Sequence, residues 1–96
     1  MQLAEYYIHY RDFNLEFFPD ETLPDIEQKL LEEFYEFIDA LKFGDVYEGH
    51  SVDEGLDLLN VLLKWLKVKG IKDPLHAGYE KLQRTAEKYR AERYAK

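Results

Sequence analysis

The fold is decided by two stretches of sequence, LLEEFYEFIDAL at residues 30–41 and VDEGLDLLNVLL at residues 52–63. Apolar residues recur in both at three- and four-residue steps, the period of an amphipathic helix. Each stretch also carries two acidic residues three apart, Glu33 with Glu36 and Glu54 with Asp57. Residues at this spacing share one face of a helix. The two stretches therefore predict neighbouring helices, joined by a short loop, that each present a pair of carboxylates.

The same periodicity extends over the rest of the chain and predicts four helices without any strand. Ser51 and Glu54 fit a capping box before the third helix, and Asp73 fits the N-cap of the fourth. We expect one all-α domain of four-helix bundle type over residues 1–96. The predicted elements are a first helix ending near Pro19, a second from about Asp25 to Phe43 with Gly44 as its stop, a third from about Val52 to Val68, and a fourth beginning at Pro74 with one apolar stripe that packs on the bundle.

Composition narrows the function classes. The chain has 96 residues, no cysteine and a net charge of −7. The missing cysteines exclude disulfides, thiolate zinc sites and cysteine nucleophiles. The acidic balance argues against nucleic-acid polymers as partners. No apolar run reaches the length of a membrane span, and the N-terminus lacks the order of a signal peptide. We therefore expect a soluble cytoplasmic protein.

The four acidic side chains lie where solvated charges are not expected. On a helical wheel Glu33 and Glu36 fall at the edge of the apolar arc of their helix. Glu54 falls inside the apolar arc of the third helix, and Asp57 at its border. Several carboxylates buried together repel one another, and few basic residues of these helices are placed to neutralise them. A divalent cation would do so, and oxygen ligands suit Mg²⁺ or Mn²⁺.

The order E-x-x-E, seventeen residues, then E-x-x-D resembles the signature of MazG-like nucleotide pyrophosphohydrolases. These belong to the all-α NTP pyrophosphatases, together with dimeric dUTPases and phosphoribosyl-ATP pyrophosphatases. The resemblance covers roughly residues 25–89. It implies that Glu33, Glu36, Glu54 and Asp57 bind Mg²⁺, with Mn²⁺ as a substitute. It also implies hydrolysis of a nucleoside triphosphate to a monophosphate and pyrophosphate, by homodimers or homotetramers. The base that takes the proton of water stays open among the carboxylates, with Glu36 and Glu33 as candidates.

The last helix departs from the family pattern. Relatives often carry Lys, Asn and a basic residue that contact phosphates, and the matching places here are Lys81, Thr85 and Lys88. The two lysines lie roughly opposite the apolar stripe, so they reach a phosphate only if that face closes over a site. Lys64 is a local alternative for binding phosphate, and Asn60 a helper ligand, because both follow Asp57 on its own edge of the third helix.

Other readings compete with catalysis. The chain could be a non-catalytic helical oligomer that acts as a binding or regulatory module. A di-iron carboxylate bundle is disfavoured because it needs Glu-x-x-His, which this sequence lacks. Glu54 could serve only as a cap, and Glu33 and Glu36 only as a solvated face. The aromatic stripe of the first helix suits a core, a subunit interface or a nucleobase. His50 is expected in a loop, facing solvent.

Overall fold

The computed structural model describes residues 1–94, and these form four helices with no strand among them. The all-α prediction is therefore confirmed. The helices are α1 Leu3–Phe17, α2 Leu23–Phe43, α3 His50–Val68 and α4 Pro74–Tyr94. Within these residues no helix combines the length and the apolar character that a membrane crossing needs.

Helix α2 begins two residues before the predicted position, because a capping box holds its first turn. The backbone N–H of Asp25 donates to the Thr22 hydroxyl at 3.4 Å, and the Asp25 carboxylate accepts from the Thr22 N–H at 2.9 Å. Hydrogen bonds from the backbone N–H and the hydroxyl of Thr22 to the carboxylate lower the pKa of Asp25. The other end is as predicted: Gly44 follows the helix with a φ of 82° that favours glycine.

Helix α3 also begins two residues early, and the predicted capping box is wrong. Gly49 precedes the helix in the left-handed conformation, with φ of 84°, and offers no side chain. The backbone N–H of Ser51 donates instead to the carboxylate of Asp45, at 2.9 Å. Capping by a residue six positions earlier leaves Glu54 free of the helix end. The local explanation for a carboxylate at this position is thereby removed.

Helices α2 and α3 pack as an antiparallel pair. The Trp65 indole N–H, late in α3, donates to Glu27 near the start of α2, at 3.1 Å. Gly55, early in α3, lies against the ring of Phe37, late in α2. A Cβ at Gly55 would lie 3.4 Å from that ring, so the missing side chain permits the close approach. This pairing sets the acidic segments of the two helices side by side.

Helix α1 contacts this pair through side chains. The Tyr6 hydroxyl donates to Asn60 Oδ1 at 2.6 Å, and Lys64 Nζ donates to Asn14 Oδ1 at 2.9 Å. A cleft remains between α1 and the α2–α3 pair. Cavities of about 280 and 210 Å³ lie along it and share lining residues, Lys64 and Tyr10 among them.

Helix α4 starts as predicted, because Asp73 Oδ1 accepts from the His76 N–H at 3.1 Å. Its apolar stripe is not packed within the subunit, contrary to expectation. Leu75, Leu82 and Tyr89 are 62–74% exposed. The prediction that this stripe packs on the bundle is therefore wrong for the single chain.

The single chain is open rather than closely packed. Its radius of gyration is 16.8 Å, against about 12–13 Å for a compact domain of this length. It exposes 7782 Å², whereas a monomeric globular protein of this mass exposes about 5800 Å². Among the described residues the buried apolar residues are Ile26, Ala40 and Val61. Many large apolar side chains are thus left exposed in the single chain.

Candidate active site

Three of the four predicted ligands meet between α2 and α3. Glu33, Glu36 and Glu54 each offer a carboxylate oxygen, and these atoms lie within 4.8 Å of one another. Glu33 and Glu36 are one turn apart on α2. The antiparallel pairing, with its close approach at Gly55, brings Glu54 opposite them. Glu33 is 9% exposed and is the buried charged residue within residues 1–94.

The cluster is electrostatically costly in the chain alone. Burial, together with the charges of Glu36 and Asp57 and a hydrogen bond to Glu36, raises the pKa of Glu33 to about 7. Lys29 opposes this rise, with its Nζ 3.9 Å from Glu33 Oε1. The wheel had missed Lys29, although a lysine four residues before a glutamate is a readable helical pair. One half-exposed lysine does not neutralise the cluster.

Two carboxylate oxygens of the cluster have the surroundings expected of ligands to a bound cation. Glu33 Oε2 and Glu54 Oε2 are buried and have no hydrogen-bond partner among the described residues. Buried polar atoms nearly always have a partner. The donors are all carboxylate oxygens, which hard divalent cations prefer over imidazole or thiolate sets. The residues present therefore fit a divalent cation.

Asp57 lies beside this cluster rather than in it. It is exposed, and it stands outside the set of described carboxylates that lie within 4.8 Å of one another. It shares a cavity of about 210 Å³ with Glu33, Asn60 and Lys64. Its charge still contributes to the raised pKa of Glu33. The structure thus places Asp57 at the mouth of the site.

The residues considered for phosphate lie in different places. Asn60 and Lys64 line the cleft, but both have partners: Asn60 accepts from Tyr6, and Lys64 bonds to Asn14 and pairs with Glu21. Lys81 and Lys88 are exposed on α4 and do not line the cavities that hold the carboxylates. Within the described part of one chain, α4 packs against α3, and the two lysines are not brought to the site.

An aromatic surface on α1 faces the same cleft. The rings of Tyr6 and Tyr10 stack at 5.8 Å between centroids, and those of Tyr10 and Phe13 do the same. With Asp57 and Asn60 these three residues line a further cavity of about 360 Å³. The stripe was visible in the sequence, but only the fold shows that it faces the acidic side of the cleft. The expectation that His50 faces solvent is wrong: its side chain is 18% exposed and lies against Glu54.

Fold and site together define an all-α protein with a cluster of carboxylates between antiparallel helices that could bind a metal ion. Residues 11–86 match the family model of phosphoribosyl-ATP pyrophosphohydrolase, and the chain belongs to that family. This is one of the families of the all-α NTP pyrophosphatases, so the superfamily prediction is confirmed, while the MazG-like family itself is not. No curated protein and no solved structure matches the chain. The family is one of pyrophosphohydrolases that act on a nucleotide.

Proposed function

We propose that the chain is a Mg²⁺-dependent pyrophosphohydrolase that converts a nucleoside triphosphate into a nucleoside monophosphate and pyrophosphate. The observation that carries this proposal is the carboxylate cluster of Glu33, Glu36 and Glu54, with two buried oxygens that lack partners, in a chain of a pyrophosphohydrolase family. Mn²⁺ is an expected substitute because it takes the same ligands.

Glu33, Glu36 and Glu54 would hold the cation, with Asp57 as the fourth carboxylate at the mouth of the site. When bound, the cation neutralises phosphate oxygens and lowers the pKa of water in the site. Glu36 is exposed, whereas Glu33 is buried. Glu36 is therefore better placed to accept the proton of the attacking water, and Glu33 to stay a ligand.

The cleft between α1 and the α2–α3 pair suits the rest of the nucleotide. The stacked rings of Tyr6, Tyr10 and Phe13 offer aromatic faces of the kind on which nucleobases stack. Lys64 and Asn60 line the cavity that also holds Glu33 and Asp57, and they are our candidate phosphate contacts within one chain, each of which would have to exchange a present partner for the phosphate. Lys81 and Lys88 contribute only if a neighbouring subunit brings them over a site.

The family match favours one particular triphosphate. Phosphoribosyl-ATP, the substrate in the name of the family, is ATP that carries a phosphoribosyl group. Cutting the same anhydride bond in it also releases pyrophosphate, so the proposed residue roles hold for both substrates. The relative rates of hydrolysis of phosphoribosyl-ATP and of simple NTPs and dNTPs would show which of these substrates the protein prefers.

We also propose that the chain works as a homodimer or homotetramer. The exposed area exceeds that of a compact monomer by roughly 2000 Å², and stable interfaces bury areas of this order. The α4 stripe and the outer apolar residues of α2 and α3 supply the surface. Light scattering after size exclusion should give a multiple of 11.5 kDa. A monomer at micromolar concentration would contradict the assembly.

The test is a product assay. The protein is incubated with ATP, the other NTPs and dNTPs, and phosphoribosyl-ATP, each with Mg²⁺, with Mn²⁺ and with chelator. Pyrophosphate and orthophosphate are measured separately. Glu36→Gln is the test variant, and Glu32→Gln, an exposed acid on the same helix, is its control.

We expect metal-dependent pyrophosphate release that Glu36→Gln abolishes and Glu32→Gln retains. Release of orthophosphate would show that a different bond is cut. No turnover of any nucleotide by the folded protein would favour the non-catalytic binding module.

A further inference from the structure

His50 is the first residue of α3 and lies one turn before Glu54. Its imidazole has two directed contacts. The backbone N–H of Val46 donates to Nδ1 at 3.2 Å, and Nε2 lies 3.4 Å from Glu54 Oε1. Both side chains are 18% exposed. The ring therefore bridges the loop before α3 and a carboxylate of the candidate cation site.

The contact with Val46 determines which ring nitrogen carries the proton. A nitrogen that accepts an N–H bond carries no hydrogen, so the neutral ring has its proton on Nε2. That proton is directed towards Glu54 Oε1. The other oxygen, Glu54 Oε2, is buried without a partner among the described residues. His50 thus engages one oxygen of Glu54 and leaves the other for a cation.

The loop that carries Val46 is held by hydrogen bonds. It lies between Gly44 and Gly49, both at positive φ. Inside it, Asp45 accepts from the Ser51 N–H, and the Tyr47 hydroxyl donates to Asp53 at 2.9 Å. The Tyr47 ring also lies 4.9 Å from the His50 ring, between centroids. These contacts hold the imidazole in one orientation.

We propose that His50 is a positioning residue that orients Glu54 as a ligand of the divalent cation. The proposal rests on the cation site of the proposed function. Groups that hydrogen-bond a ligating side chain fix its direction, and their removal commonly lowers metal affinity by 10–100-fold. His50 would act on Glu54 in this way without touching the cation or the nucleotide.

The test measures Mn²⁺ binding to the full chain by electron paramagnetic resonance, without nucleotide. His50→Gln keeps an N–H donor near the position of Nε2. His50→Asn keeps a polar group near the position of Nδ1 for Val46 but cannot reach Glu54. His76→Asn is the matched control, because His76 faces Glu80 at the same spacing but on the exposed surface of α4.

We expect His50→Asn to weaken Mn²⁺ binding about tenfold or more, His50→Gln to restore most of the affinity, and His76→Asn to change nothing. Urea unfolding of the two His50 variants should give similar midpoints, which separates positioning from folding. Wild-type affinity in His50→Asn would overturn the proposal, as would equal losses in both His50 variants or a wild-type chain that binds no Mn²⁺. If Mn²⁺ binds as expected but no nucleotide is cut, the proposed catalysis fails while the role of His50 stands.

Discussion

Replacing Glu33 by glutamine removes one charge from the buried cluster and keeps the size of the side chain. In the metal-free protein the pKa of Glu33 is raised from 4.5 to about 7. Below pH 4.5 the group is protonated in both the folded and the unfolded chain, so it does not affect stability. As the pH rises to 7 and beyond, the unfolded chain releases the proton more readily, and the free energy of unfolding falls.

The size of this effect follows from the shift. Each pKa unit corresponds to 1.36 kcal/mol, so the charge on Glu33 costs the folded state roughly 3 kcal/mol at pH 8. Glu33→Gln should recover most of this. For a domain of this size such a gain raises Tm on the order of 10 °C. At pH 5 the variant and the wild type should unfold at nearly the same temperature.

The assay is thermal and urea unfolding at pH 5 and pH 8 with chelator, then at pH 8 with excess Mg²⁺. Glu32→Gln, on the exposed side of α2, is the control and should follow the wild type throughout. With Mg²⁺ at 1,000 times its Kd the order should reverse, because binding then adds about 4.1 kcal/mol to the wild type, more than the roughly 3 kcal/mol cost of the charge, and little to the variant. Equal or lower stability of Glu33→Gln at pH 8 in chelator, or equal stabilisation of both proteins by Mg²⁺, would refute the reasoning.

Three further predictions concern the scaffold. Thr22→Ala removes the cap of α2 and should lower the free energy of unfolding by about 1 kcal/mol in urea, with Mg²⁺ binding retained; an unchanged midpoint would contradict the cap. Gly55→Val places methyl groups against Phe37, so it should lower the free energy of unfolding by about 1–3 kcal/mol and weaken Mn²⁺ binding. Gly78→Val is the control, because there is open space around Gly78, and it should leave Mn²⁺ binding unchanged. Equal Mn²⁺ affinity in the two variants would contradict the close approach at Gly55. Leu82→Asp, on the exposed stripe of α4, should lower the mass in light scattering and keep the helical circular dichroism; an unchanged mass would exclude this stripe from the interface.

The helices, and the side of each helix on which its acidic residues lie, could be predicted from the sequence, because both depend on the helical period of 3.6 residues. Glu33 and Glu54 lie on apolar arcs, and the structure brings them together with Glu36. The start of α3 could not be read in this way, because its first turn is held by Asp45 from the preceding loop. The position of His50 depended on that start, so the sequence placed it in solvent.

The start of α2 is a different case. Thr22 and Asp25 have the spacing of a capping box, with Asp in place of the usual Glu or Gln, so a local signal existed. The packing of the apolar stripe of α4, by contrast, has no local signal in the sequence. A helical wheel shows which face is apolar, but whether a surface covers that face depends on packing beyond one helix.

The most direct test of the cation site is a crystal structure of the protein soaked with Mn²⁺, measured at a wavelength where manganese scatters anomalously. We expect an anomalous peak between Glu33, Glu36 and Glu54, within coordination distance of the oxygens that lack partners in the chain. Crystals of Glu54→Gln, grown and soaked in the same way, should show a weaker peak or none. A peak elsewhere, or no peak at Mn²⁺ concentrations that support pyrophosphate release, would contradict the assignment of these carboxylates as the metal site.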